Sequence, residues 1–129
     1  MNTAPTPAPG ARPTTWVDGA AGSLFDLDNL PYGVFSTAGG EPRVGVRIED
    51  GVLDLYAATE RKEFAQPSLN AFLAMGPAAW SDIRASIPSL AERFDLVPLQ
   101  DVDLHLPFEV ADYVDFYASA QHALNVGKI

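Results

Sequence analysis

The chain has 129 residues, no cysteine, and a formal net charge of -9 from 8 basic and 17 acidic side chains. Its length and 47% apolar content fit one domain of the usual ~100–200 residues and exclude a disordered acidic polymer, while the lack of cysteine excludes a disulfide-stapled fold, a thiolate zinc site and a thiol nucleophile. The acidic balance, with only Arg61 and Lys62 adjacent among the basic residues, argues against nucleic acid and an anionic membrane surface as partners, and no apolar run reaches the ~18–20 residues that span a bilayer.

In chain order, the first 15 residues set Pro5, Pro7, Pro9 and Pro13 among Ala and Thr. Such a stretch buries no apolar surface and lacks backbone donors, so a disordered extension is predicted; a Pro-rich docking motif is the minor alternative. The stretch MNTAPTPAPGARPTTW has no charged-then-apolar signal layout, and a cytoplasmic protein is expected. Order is predicted from about Leu24, with Asn29–Phe35 leading into a short strand and Thr37–Gly40 turning the chain. Arg43–Ile48 alternates polar with apolar, the period of a half-buried strand. Asp50-Gly51 is a hairpin-turn signal, because Gly accepts the positive φ such turns need. Val52–Leu55 is the predicted return strand.

The middle reads as helical. Pro67-Ser68 opens a segment with Leu69, Phe72 and Leu73 on one face. Gly76-Pro77 starts a second helix in which Trp80, Ile83 and Ile87 share a face and which Pro88 is expected to end. Both stripes read as core packing. Leu96–Leu99 and Val102–Leu106 read as strands, with Pro98 suited to an edge. His105 is expected on the polar side of its strand and receives no role. The fold class is therefore mainly β with inserted helices (α+β), a small open barrel with helical decoration.

The last 20 residues gather chemistry. Ala111–Gly127 holds Asp112, Asp115, Tyr113, Tyr117 and His122 in a short span. Asp115 offers carboxylate oxygen to a hard cation, though an isolated Asp is more often a cap or a solvated charge. His122 has the ordinary pKa of roughly 6.5 that suits a general base, though a lone His is more often structural. Tyr117 can orient a substrate oxygen, against a half-buried aromatic as the plainer role. Asp112 and Asn125 read as caps or hydrogen-bond supports. One carboxylate does not hold a divalent cation, and the sequence shows no phosphate-cradling loop, His/Glu metal motif or nucleophile elbow.

Several separated segments resemble the N-terminal part of the fumarylacetoacetase family: Asn29–Ser36, Pro42–Val46, Gln66–Phe72, Gly76–Trp80, Leu106-Pro107, Asp112–Tyr117, Gln121–Ala123 and Asn125–Gly127. The resemblance implies an SH3-like barrel ahead of a larger β-rich catalytic domain. It implies metal-dependent hydrolysis of the C–C bond of 4-fumarylacetoacetate, giving fumarate and acetoacetate in tyrosine and phenylalanine catabolism. A Ca²⁺ or Mg²⁺ ion would polarise the diketone, and a His base would activate water. Carried over onto the matching motifs, Asp115 is the metal ligand, Tyr117 contacts substrate and His122 is the general base. Ala120 and Leu124 depart from the larger polar residue and the Thr common in the family.

On this reading residues 1–23 are a leader, 24–107 the SH3-like domain, and 108–129 the first segment of a catalytic domain whose other ligands lie beyond Ile129. The chain alone is expected to be inactive, and the full-length enzyme to be a homodimer. Two other readings stand beside it. One is a non-enzymatic SH3-like module binding a protein. The other is a different C–C hydrolase or decarboxylase of the wider superfamily.

Overall fold

A computed structural model of the chain describes residues 19–112 and 120–127. The predicted leader therefore lies outside the described residues up to residue 18. Among these residues are five strands and four helices, mixed and β-rich: β1 (Tyr32–Thr37), β2 (Arg43–Ile48), β3 (Gly51–Asp54), α1 (Leu55–Thr59), α2 (Asn70–Leu73), α3 (Pro77–Arg93), β4 (Val97–Pro98), β5 (Val102–His105) and α4 (Ala120–Val126). The sheet is antiparallel throughout, in the order β4-β3-β2-β1-β5.

That order dictates a curl. β4 and β5 are opposite edges, and flat strands at ~4.8 Å spacing would hold them ~19 Å apart. Only the 3-10 turn Leu99–Asp101 joins them, and the four steps from Pro98 to Val102 reach at most ~14 Å. The sheet bends to let its edges meet, as a half-barrel. Leu99 is pinned during this crossing by donating its N–H to the Asp50 carbonyl at 2.8 Å.

The β2–β3 hairpin forms where expected, but its turn is built differently. Ile48 pairs with Gly51, so Glu49 and Asp50 are the turn residues, and Glu49 takes the positive φ of 47°. Its N–H donates to the Phe25 carbonyl at 2.9 Å, which holds it there. Gly51 is instead required for closeness: a Cβ there would lie 2.8 Å from the Leu96 Cβ. The return strand stops at Asp54, whose Oδ1 accepts the Ala57 N–H at 3.0 Å and caps α1. Leu55 thus opens a helix rather than closing a strand.

α3 starts as predicted, with Pro77 in its first turn after Gly76 at φ 89°. It does not end at Pro88 but runs to Arg93. Ile83, Ile87 and Ala91 are buried at four-residue spacing on both sides of Pro88. Burial continued beyond the proline outweighs the ~3 kcal/mol of a proline inside a helix. Trp80 leaves the buried face half exposed and donates its indole N–H to the Phe72 carbonyl at 3.0 Å.

The sheet has two apolar faces. Val34, Val44, Val46, Ile48 and Leu53 pack against Phe64, Phe72 and the buried side of α3. Ala20, Leu27 and Leu30 complete that core, and Arg84 ties the incoming segment down by donating to the Leu27 carbonyl at 2.8 Å. Packing thus extends N-terminal of residue 24. On the inner side of the curl, buried Phe35 and Val52 line a cleft of about 230 Å³.

Candidate functional site

The sequence assigns chemistry to the stretch after β5, so the way that stretch leaves the domain decides how a site is presented. β5 pairs with β1 and then departs as a strap running over the loop before α2. The Leu69 N–H donates to the Pro107 carbonyl at 2.7 Å. Asn70 then clamps Glu109 from both sides: its Nδ2 donates to the Glu109 carbonyl at 3.2 Å, and its Oδ1 accepts the Glu109 N–H at 3.0 Å. One side-chain amide thereby copies a strand pairing across 39 residues of sequence. The strap is anchored three residues before Asp112 and six before Asp115.

Asp115 and Tyr117 lie outside the described residues. His122 is carried on the helix α4, while its side chain lies outside the described part. Asn125, on the same helix, accepts from the Gln121 side chain at 3.2 Å, the supporting hydrogen bond its position suggests. Asp112 is exposed at the end of the strap. All three residues proposed for chemistry thus lie, as whole residues or as side chains, outside the described part.

The metal can be tested against the donor set. Among the described residues no group of three His, Cys, Asp or Glu side chains could hold a cation. Ca²⁺ needs six to eight oxygens and Mg²⁺ six, so the described residues do not fit either ion by themselves.

Two polar features escape sequence reasoning. His105 does not simply face solvent: its Nε2 lies 2.8 Å from the Ser36 Oγ, a buried hydroxyl on β1. The alternation expected for β5 is absent, because Asp103, Leu104 and His105 are all exposed, and Leu104 and Leu106 are 68% and 84% exposed. The Tyr32 hydroxyl is buried with no hydrogen-bond partner among the described residues. Burial raises its phenol above the ordinary 10.0, partly opposed by the Arg84 cation. A 69-residue separation carries no local signal for the first pair. Asn70 had one, its place in the Gln66–Phe72 segment.

The family model described as "Fumarylacetoacetase N-terminal" matches residues 28–107. Among curated proteins, the fumarylacetoacetase of Homo sapiens is 39% identical over 132 residues, covering 84% of this chain and 32% of its own length. That of Rattus norvegicus is 38% identical over the same span, and that of Oryza sativa subsp. japonica 35% identical over 143 residues, covering 89% and 33%. The chain spans about a third of the length of these relatives. Among the described residues, no helix is long and apolar enough to cross a membrane.

Proposed function

The chain belongs to the fumarylacetoacetase N-terminal family, and on that premise we propose that it is the N-terminal part of an enzyme hydrolysing the C–C bond of 4-fumarylacetoacetate. The observation that carries this reading is the family match across the domain, 28–107, together with identity to whole fumarylacetoacetases over more than four-fifths of the chain. On this reading residues 24–107 are an SH3-like barrel, which the curl forced by the β4–β5 connection supports. Residues 108–129 begin the catalytic domain, and the Asn70 clamp sets where that domain departs.

Within that stretch His122 is the general base that takes a proton from water. Tyr117 orients the substrate by its phenol, and Asp115 supplies one oxygen to a Ca²⁺ or Mg²⁺ ion. The remaining cation ligands and the groups neutralising the dianionic substrate are supplied by polypeptide beyond residue 129. The full-length enzyme is read as a cytoplasmic homodimer. The acidic chain would repel its own substrate without those later groups.

A second reading, a stand-alone SH3-like protein-interaction module, is favoured by one feature. Leu104, Leu106, Phe108 and Val110 are exposed at every second position along β5 and the strap, and contiguous exposed apolar residues mark contact surfaces. An assay of the chain alone separates the two from an intact enzyme. With Mg²⁺ present, loss of fumarylacetoacetate absorbance is expected to match the blank. Turnover that disappears in His122→Ala would show that the site is complete here and would overturn this reading.

A further inference from the structure

We propose that the proline-rich stretch Pro5–Pro9 of this chain docks in the apolar cleft on the inner face of its own sheet. The cleft is walled by Phe25, Pro31, Phe35, Val52, Leu99 and Leu104. Its floor at Gly33 is open, since a Cβ built there meets nothing within 4 Å. Gly45, on the neighbouring strand, is by contrast tightly covered, with Val52 Cγ1 at 2.7 Å and Phe35 Cε1 at 2.8 Å from the same construction. The Phe25 wall is held in place by the Arg47 guanidinium, 3.8 Å from its ring centroid, while Arg47 Nε donates to the Glu49 carbonyl at 2.7 Å.

The chain's own leader is the occupant that position and chemistry favour. The described chain begins at Gly19, where a Cβ would lie 3.6 Å from Glu49 Oε1. Glu49 is two residues along from Arg47, which itself lines the cleft, a separation of ~7 Å. Residues 10–18 form a tether able to span ~28 Å in an extended conformation, more than enough to return. The first 11 residues carry no charged side chain, so no ion would be drawn into an apolar site. Prolines at 5, 7 and 9 remove three of the segment's five backbone N–H groups and lose little entropy on docking, the basis on which aromatic-lined grooves take proline-rich segments. A short tether holds its segment at an effective millimolar concentration, so a weak intrinsic affinity suffices.

The test is NMR on the whole 129-residue chain. Docking predicts NOEs from Pro5, Pro7 and Pro9 ring protons to the Phe25 and Phe35 rings. Replacing the three prolines together by serine should remove these NOEs and shift the amide resonances of Phe25, Gly33 and Leu104. Gly33→Val, which fills the floor without meeting another atom at Cβ, should abolish the NOEs while the Phe64 and Phe72 ring resonances stay in place. Unchanged Phe25, Gly33 and Leu104 shifts in the proline variant would overturn the proposal. So would NOEs seen only between differently labelled copies in a mixed sample, which would give the cleft to a second molecule.

Discussion

At the scale of single residues, Asn70 and Tyr32 carry the most testable consequences. Asn70 makes two hydrogen bonds to the backbone of one residue, Glu109, and its loss removes both at an exposed site. Asn70→Ala should cost about 1 kcal/mol in urea unfolding and speed hydrogen exchange at the Glu109 amide. Asn70→Asp keeps the acceptor for that amide and should preserve most of its protection. Exchange at Glu109 that is unchanged in Asn70→Ala would mean the clamp is not formed in solution. Tyr32 is the opposite case, a buried hydroxyl with no partner among the described residues. Tyr32→Phe removes that unmet group and should stabilise the fold by about 1 kcal/mol at neutral pH. Its titration has a definite sign. The folded state holds the phenolic proton more tightly than the unfolded chain, so this contribution is present below pH 10.0 and is lost as pH rises through the folded value. Chemical denaturation between pH 9 and pH 11 should show a shallower alkaline loss in Tyr32→Phe than in the parent. The sequence marked Asn70 only by its place in the Gln66–Phe72 segment and assigned Tyr32 no role, because both contacts depend on what distant segments bring alongside them.

At the scale of elements, the hairpin shows what local pattern can and cannot settle. Period-2 alternation placed β2 because Val44, Val46 and Ile48 all face one core. Gly51 was legible as important but for a different reason, since its constraint comes from Leu96, 45 residues away. Pro88 was read as a stop on local grounds, and the helix passes it because Ile87 and Ala91 are buried on either side. The segment from β5 onward misled by the same logic: Leu104 in the strand and Leu106 just past it are exposed, as an edge strand with no covering element among the described residues allows. The glycines give the sharpest element-scale test. Gly45→Ala drives a methyl into Phe35 and Val52 and should destabilise by about 1–3 kcal/mol. Gly33→Ala, one strand across in open space, should be neutral or stabilising by about 0.5 kcal/mol. Thermal unfolding of the two variants checks the difference, and equal losses would contradict the described packing of the inner face.

At the scale of the molecule, closure of the sheet follows from arithmetic that no local pattern contains. Four residue steps must join two edges that a flat sheet would set further apart, so curvature is imposed by topology and the inner cleft follows from curvature. The sequence made the family resemblance legible across the domain, and the family match covers that same region. The candidate site was legible only as residue types in motif order, and Asp115, Tyr117 and the His122 side chain lie outside the described residues. The central claim is that His122 belongs to a fumarylacetoacetase active site which this chain begins and does not complete. It is tested most directly by exchanging this chain for the matching region of the human relative and measuring fumarylacetoacetate turnover. The folded chimera is expected to turn over substrate and to lose roughly 10²–10⁴-fold in rate as His122→Ala. A folded, active chimera whose rate is unchanged by His122→Ala would contradict the account.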